Sequence, residues 1–488
     1  MVPPLKVLFA ASEVSPLAKV GGLADVAGAL PGALRRLGHD VRIVMPRYGS
    51  VDLSAHGPVS YVGQYDVLIL GRGERVEVSQ VSLRDGTPVY LLFNAGYFGR
   101  PAVYGEKDDL ERFLLFGIAV AELPGKLGWP VDILHCHDWH TAMAPPLCRK
   151  KRSQRPSSPP CASVFTIHNL GYQGWFDDWF AGRAGLHEYL PSPGDPLRSK
   201  VYSLMGLAIL HADAVSTVSE TYAREILTPE YGFDLEGALQ RRQGDLYGIV
   251  NGIDYEEFNP ATDPAIPVNY DADNLERKAR DKAALQERAG FPLKPRAPLA
   301  GMVGRLAQQK GLDLVAEALE PLLLQTDVQF VLLGAGEEKY RAALDRLSAK
   351  YPARVHLFHG FDLPLAQLLY AGCDLFLMPS RYEPCGLGQL IAMRYGTIPV
   401  VRHTGGLADT VQDCNPDLST GAGFVFREYE VPKLIEAVKR AVEGYQKKAA
   451  WRRLMERVMR MDFSWDAAAK KYEAMYRATL KKVARGLP

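Results

Sequence analysis

The chain has 488 residues, 47% of them hydrophobic, and its 57 Lys and Arg residues almost balance its 56 Asp and Glu residues. Single hydrophobic cores stop growing at roughly 250 to 300 residues, so this length predicts two large domains. The formal net charge of +1 lacks the global basic signature of a nucleic-acid-binding protein. No run approaches the roughly 18 apolar residues that a membrane-spanning helix needs. We therefore expect neither nucleic acid nor a membrane among the partners.

The N-terminus and the cysteines indicate a cellular compartment. The first residues have neither the charged start nor the apolar length of a signal peptide. The six cysteines include no C-x-x-C pair, which favours reduced thiols over a disulfide framework or a zinc site. The sequence therefore predicts a cytoplasmic protein without a bound metal.

Short apolar runs alternate with helical periods along most of the chain, a pattern typical of an α/β fold with parallel sheets covered by helices. A first βαβ unit is predicted from a strand at 6–11, a helix at 23–37 and a strand at 41–45. Further strands are predicted, in chain order, at 131–136, 163–167, 214–218, 299–303, 329–333, 375–378 and 398–401. A helical stripe with Ser464 as its N-cap ends the chain.

A segment rich in Pro, Asn and Asp follows Phe258 and is typical of a linker or a surface excursion. We place the domain boundary near Asp245, with 246–251 as the first strand of the second domain. This gives an N-terminal domain at 1–245, a C-terminal domain at 246–462 and a final helix at 463–488.

Two loops of the predicted second domain carry charged residues directly after strands. Arg305 and Lys310 follow the strand at 299–303, where two cations suit a diphosphate. Glu383 follows the strand at 375–378, near the start of a helix predicted at Gly386. There it would stay ionised and would accept sugar hydroxyl groups or face a developing positive charge. The alternatives are surface cations that serve solubility and a simple capping carboxylate.

The pentapeptide GGLAD occurs twice, at 21–25 and at 405–409, each time after a predicted strand. Paired glycines let a backbone approach a ligand, and the helix that follows offers N–H groups to an anion. Lys19, just before the first copy, is a candidate mobile charge that closes a phosphate site. Ordinary strand-to-helix turns and an exposed loop lysine are the alternatives. The dinucleotide fingerprint G-x-G-x-x-G is absent.

Polar residues also gather at strand ends in the first domain. Asp138 follows the strand at 131–136, and His168 and Asn169 follow the strand at 163–167. His135 and His137 alternate on a strand, and no carboxylate or cysteine stands at ligand spacing, so a metal site is not expected. His168 is either a site residue or a structural histidine.

Five segments taken in order resemble the signatures of bacterial glycogen synthases and plant starch synthases. They are K-V-G-G-L-A-D at 19–25, H-D-W-H at 137–140, G-R-L with K-G at 304–311, E-P-C-G-L at 383–387 and T-G-G-L-A-D at 404–409. The resemblance covers nearly the whole chain. It implies two Rossmann-like, doubly wound domains facing across a cleft, the GT-B type, with the final helix crossing back onto the first domain.

The resemblance implies an enzyme that transfers glucose from ADP-glucose to the non-reducing end of an α-1,4-glucan, glycogen or a maltooligosaccharide, with retention and without a cofactor or metal. Arg305 and Lys310 would hold the diphosphate, Glu383 the glucose hydroxyls and His168 the sugar, while Asp138 would lie near the reacting centre. Further substrate contacts are implied for Lys19, Gly22, Asp25, Tyr104, Asn169, Asn251, Phe361, Cys385, Gly386, Leu387, Gly388, Thr404 and Gly405.

The chain departs from the family pattern at several positions. Val20 and Gly388 stand where Thr is common, and Phe361 stands where Tyr often stacks on adenine, so stacking remains possible without a hydroxyl. Ile391 replaces the second Glu of many related transferases, as glucan synthases typically lack it. A UDP-glucose-dependent transferase and a nucleotide-sugar isomerase on the same scaffold are the alternatives. The sequence leaves the oligomeric state open.

Overall fold

The computed structural model describes residues 3–54, 57–154 and 161–486. By its contacts the described chain divides into two compact units. The first unit comprises the chain up to Gly252 together with the helix from Trp465 onward, and the second comprises Ile253–Ser464.

The first unit is built on one sheet. Its strands are β1 (Lys6–Ala10), β2 (Asp40–Pro46), β3 (Ser60–Ile69), β4 (Arg72–Ser82), β5 (Pro88–Phe93), β6 (Ile133–His137), β7 (Ala162–Ile167), β8 (Ala214–Thr217) and β9 (Leu246–Gly248). They lie in the order β3-β4-β5-β2-β1-β6-β7-β8-β9, parallel except where β4 pairs with β3 and β5. The central strands are buried on both faces, which explains the unbroken apolar runs in their sequences.

Helices follow most of these strands. They are α1 (Gly22–Arg36), α2 (Ala95–Phe98), α3 (Asp109–Lys126), α4 (Ala144–Gln154), α5 (Asp178–Ala184), α6 (Leu204–His211), α7 (Glu220–Glu225) and α8 (Glu236–Arg241). In α1, Leu23, Val26 and Leu30 fall at helical spacing and are buried in the core of the first unit.

The antiparallel strands β3 and β4 were not expected from the sequence. In β3, Tyr65, Val67 and Ile69 are buried, whereas Asp66 and Leu68 between them are exposed. This alternation is typical of a strand with one face exposed to solvent, unlike the continuous apolar runs of the parallel strands.

The strand predicted to open the second domain belongs to the first sheet instead. Leu246, Tyr247 and Gly248 of β9 pair in parallel with Val215, Ser216 and Thr217 of β8. A strand of three residues is too short for its sequence to show which sheet it joins, because such a run can pair with a parallel strand of either sheet. Residues 246–252 are therefore corrected to the first unit.

The second unit contains a wholly parallel sheet. Its strands are β10 (Leu299–Val303), β11 (Gln329–Gly334), β12 (Val355–His359), β13 (Leu375–Met378), β14 (Ile398–Arg402) and β15 (Phe424–Phe426), in the order β12-β11-β10-β13-β14-β15. Its helices are α9 (Lys278–Arg288), α10 (Leu312–Gln325), α11 (Glu338–Lys350), α12 (Leu363–Gly372), α13 (Gly388–Arg394), α14 (Gly405–Thr410), α15 (Val431–Gln446) and α16 (Lys448–Met459).

The final helix, α17 (Trp465–Ala484), packs against α1 and β7 of the first unit. Ala469, Met475 and Tyr476 on one stripe are buried there. At the far end of the helix, Lys482 Nζ lies 2.7 Å from both carboxylate oxygens of Asp245. Burial of the apolar stripe therefore holds α17 on the first unit.

We expect Met475→Ala to destabilise the protein by about 3 kcal/mol, because it removes a fully buried side chain and leaves a cavity. Lys471→Ala, on the exposed side of the same helix, should change stability by less than about 0.5 kcal/mol. Calorimetric melting temperatures of the two variants test this. Equal melting temperatures would show that the apolar stripe does not anchor the helix.

Candidate active site

Each sheet has a point at which the order of its strands reverses. In the second unit the chain runs outward from β10 through β11 to β12 on one side, and from β13 through β14 to β15 on the other. In the first unit, β1 and β6 are the corresponding neighbours. Open α/β sheets bind ligands beyond the carboxyl ends of such strands. The loops after β10, β13, β1 and β6 carry most of the residues singled out in the sequence.

An ion pair between a buried carboxylate and a partly buried ammonium group bridges the two loops at the reversal point of the second unit. Lys310 Nζ lies 3.0 Å and 2.7 Å from Oε1 and Oε2 of Glu383. Ser380 Oγ donates a second hydrogen bond to Oε2, at 2.9 Å. Glu383 is only 5% exposed, whereas the Lys310 side chain is 22% exposed, so removal of Lys310 would leave the carboxylate charge in a position with little water.

The same two loops also approach each other through their backbones. Arg381 N donates to the carbonyl oxygen of Gln309 at 2.9 Å. Within the loop after β10, Arg305 Nη2 donates to the side-chain oxygen Oε1 of Gln309 at 3.0 Å. Gly311 has φ +75°, and a Cβ there would overlap the carbonyl oxygen of Pro379. Glycine at 311 is therefore required both by the dihedral angle and by the close approach.

The second GGLAD segment packs directly on the Glu383 loop. Gly405 has φ +44°, and a Cβ there would overlap the carbonyl oxygen of Glu383. Gly406 N donates to the carbonyl oxygens of Glu383 and Pro384, at 3.1 and 3.2 Å. Thr404, directly before the glycines, is fully buried. The N–H of Gly406, expected to be free for an anion, is thus used to hold the loop of Glu383.

The other predicted residues of the second unit lie on turns around this point. Cys385 is buried, Gly386 adopts φ +72°, and Leu387 leads into α13, which begins at Gly388 rather than near Gly386. Phe361, in the turn after β12, is 73% exposed. Substrate contacts by these residues stay predictions.

In the first unit, the loop after β1 carries Lys19 and the first GGLAD segment. Lys19 Nζ forms an exposed ion pair with Asp25 Oδ1 at 2.5 Å, and both belong to the predicted set. Gly22 begins α1. The structure therefore brings Lys19, Gly22 and Asp25 together at the start of one helix.

Glu13 is a buried carboxylate that the sequence reasoning missed. Its Oε2 accepts hydrogen bonds from Val20 N at 2.6 Å and Gly21 N at 2.9 Å, and its Oε1 accepts one from Tyr104 OH at 3.1 Å. Burial raises its pKa, although the two backbone N–H groups act in the opposite direction. The N–H groups at the first GGLAD turn were expected to face a bound anion. They donate instead to the Glu13 carboxylate of the protein itself. Its position, three residues after the end of the central strand β1, could have identified it in the sequence as a candidate site residue.

Asp138 and His168 meet at the ends of β6 and β7. Asp138 Oδ1 accepts a hydrogen bond from His168 N at 2.8 Å, and the residue has φ +54°, a strained value for a side chain other than glycine. Desolvation raises the pKa of the Asp138 carboxyl to about 7, against the opposing hydrogen bonds from the backbone of His168 and Asn169. Burial lowers the pKa of His168 to about 3. Asn169 Oδ1 accepts from Gly171 N at 3.0 Å and fixes the next turn.

Asn251 lies near the end of the first unit and is 6% exposed. Its Oδ1 is buried and has no hydrogen-bond partner within the described part of the chain. Its predicted substrate contact stays a prediction.

The described part of the chain contains neither a metal-ligand cluster nor a membrane-spanning helix. Within residues 3–54, 57–154 and 161–486, no group of three or more His, Cys, Asp or Glu side chains is arranged to hold a metal ion. His135 bonds to Thr166 Oγ1 at 2.6 Å, and His140 stacks on Tyr104 with ring centroids 4.7 Å apart. In the same ranges, no helix has the length and apolar character needed to cross a bilayer.

Comparison with known proteins gives the family. Residues 6–241 match the family described as the starch synthase catalytic domain, and residues 285–456 match glycosyl transferases group 1. The chain is 48% identical over 485 residues to a glycogen synthase of Moorella thermoacetica, covering 98% of each chain. It is 48% identical over 488 residues to a glycogen synthase of Geotalea daltonii, covering 99% of this chain and 100% of that one.

Solved structures agree with this result. The catalytic domain of starch synthase IV from Arabidopsis thaliana, bound to ADP and acarbose, matches with a TM-score of 0.89 and 34% identity, over 98% of this chain and 100% of that one. The fold and the ordered motifs define a glycosyltransferase with two Rossmann-like α/β units. The chain belongs to the glycogen synthase and starch synthase family, whose members build α-1,4-glucan. The predicted fold class and enzyme class are confirmed.

The raised pKa of Asp138 gives a prediction for stability against pH. The folded state holds the Asp138 proton up to about pH 7, whereas an unfolded aspartate releases it near 4, so ionisation costs folding free energy over this interval. Asp138→Asn removes that cost. We expect the melting temperature of the variant relative to the parent protein to rise between pH 5 and pH 8. A difference that is the same at both pH values would contradict a raised pKa.

Proposed function

We propose that this protein transfers glucose from ADP-glucose to the non-reducing 4-hydroxyl group of an α-1,4-glucan, with retention of configuration and without a metal ion. The observation that carries the proposal is the partly buried Lys310–Glu383 pair at the reversal point of the second sheet, with Arg305 on the same loop as Lys310. Family membership supplies the reaction class.

The charges suit the departure of a diphosphate. As the anomeric bond breaks, negative charge grows on the diphosphate. The Lys310 ammonium and the Arg305 guanidinium stabilise this charge without a metal ion. Positive charge develops on the sugar at the same time, and the Glu383 carboxylate, which accepts hydrogen bonds from Lys310 and Ser380, is the acidic group beside it in this proposal. Glu383 also has acceptor oxygens for glucose hydroxyl groups.

ADP as the leaving nucleotide is supported by the related starch synthase IV, whose structure contains ADP. The exposed ring of Phe361 is available to stack on adenine. A stacking ring does not by itself distinguish adenine from uracil, so UDP-glucose is the second candidate donor.

The first unit supplies the remaining proposed roles. His168 binds the transferred sugar, and Asp138 lies near the reacting centre. Substrate contacts are proposed for Lys19, Gly22, Asp25, Tyr104, Asn169 and Asn251. The acceptor hydroxyl attacks the face of the sugar from which the diphosphate departs, and the departing phosphate oxygen takes its proton. Because the new bond forms on the same face, the configuration is retained. The predicted cytoplasmic location and the absence of nucleic-acid and membrane partners stay predictions.

The proposal is tested by incubating the protein with ADP-glucose and glycogen, with and without excess EDTA. We expect release of ADP and lengthening of the glucan, unchanged by EDTA, and a higher kcat/KM for ADP-glucose than for UDP-glucose. Activity lost in EDTA and restored by Mg²⁺ would contradict the metal-free mechanism. Isomerised free nucleotide sugar without glucan growth would show that the isomerase alternative is correct.

A further inference from the structure

A second histidine lies directly behind His168. His137, the last residue of β6, is completely buried, and its Nδ1 lies 2.9 Å from His168 Nε2. Among the described residues, this is the hydrogen bond that the His168 imidazole makes, and the His168 residue is partly exposed. The Nδ1 edge of the imidazole is therefore available to a ligand.

A neutral imidazole has one N–H group and one bare nitrogen. A hydrogen bond between His137 Nδ1 and His168 Nε2 therefore needs a proton on one of these two nitrogens and none on the other. Burial lowers the pKa of both His137 and His168, so neither ring is charged at neutral pH. In one arrangement His137 Nδ1–H donates to a bare Nε2 of His168, and His168 carries its proton on Nδ1. In the other arrangement His168 Nε2–H donates to His137, and His137 carries its proton on Nε2.

The surroundings of His137 Nε2 decide between these arrangements. This nitrogen is buried and has no hydrogen-bond partner in the described part of the chain. A buried N–H group without an acceptor is rarer in proteins than an acceptor without a donor, because the lost hydrogen bond leaves the donor desolvated. The bare nitrogen of His137 is therefore Nε2, and its proton is on Nδ1.

The ring of His137 is held in this orientation by packing. The rings of Phe9 and His135 both pack against it, each with its centroid 4.0 Å away. His135 is fixed in turn by hydrogen bonds to Thr166 Oγ1 at 2.6 Å and to Tyr476 OH in α17 at 2.7 Å. A rotated His137 ring would have to displace these neighbours.

We propose that His137 is a positioning residue that keeps His168 in the tautomer with its proton on Nδ1. His168 then offers the sugar a hydrogen-bond donor and has no free basic nitrogen on the ligand side. It binds a hydroxyl oxygen and does not remove the proton of the acceptor hydroxyl, which must pass to another group. The identity of the ligand as a sugar rests on the proposed function, whereas the tautomer does not.

The tautomer is measured directly by NMR of the protein labelled with ¹⁵N-histidine. Imidazole nitrogen shifts distinguish protonated from bare nitrogens, and His168→Gln identifies the signals of His168. We expect a protonated Nδ1 and a bare Nε2. A protonated Nε2 on His168 would overturn the proposal. Because this readout needs no turnover, it stands apart from the transfer assay, and failure of glucose transfer would remove only the proposed function.

Two substitutions at His137 separate positioning from packing. His137→Phe keeps a ring against Phe9 but has no donor, so kcat should fall about tenfold, the scale of one hydrogen bond to a reacting group. His137→Asn places an amide N–H near the position of Nδ1, and kcat should recover to within about threefold of the parent value. Tyr65→Phe, the matched control, removes a buried hydroxyl that donates to the carbonyl oxygen of Ala119 outside this network, and it should leave kcat within about twofold.

The pattern of these three rates decides the role. Equal losses in His137→Phe and His137→Asn would show that His137 only fills space. A parent-like rate in His137→Phe would show that the tautomer of His168 does not matter for transfer.

Discussion

The ion pair between Lys310 and Glu383 joins the loops that follow β10 and β13, the two central strands of the second sheet. Two close approaches around this ion pair require glycine, one between the two loops and one from the turn after β14. Gly311 lies against the carbonyl oxygen of Pro379, and Gly405 lies against that of Glu383. The glycines of the two motifs therefore bring charged groups together, and the charges themselves are what a diphosphate sugar would meet.

The first unit follows a different rule at its own reversal point. There the polar groups at the strand ends mostly satisfy each other. Glu13 accepts the N–H groups of the loop that carries Lys19, Asp138 accepts the N–H of His168, and His137 meets His168 through its ring. Such internal pairing fixes side chains before a substrate arrives, so that little ordering remains to be done on binding.

The sequence predicts most of the parallel strands because they are buried on both faces and read as unbroken apolar runs, as in β1 and β13. It misses β3 and β4, whose alternating pattern was not recognised, and it also misses β5, β12 and β15, which have parallel partners. The three residues of β9 do not reveal their neighbour. In the candidate site, charged residues after strands point to loops that lie at the reversal points of the two sheets. Glu13 and the His137–His168 contact depend on which strands become neighbours, and no local pattern contains that information.

The central claim is that Lys310 and Glu383 act as one unit in transfer. It is tested by kcat/KM for ADP-glucose in Lys310→Met, Glu383→Gln and the double variant, which keep the side-chain volumes similar. Each single change should lower kcat/KM at least about 100-fold, and the double variant should lose little more than the worse single variant. A kcat/KM close to that of the parent protein in either single variant would contradict the account.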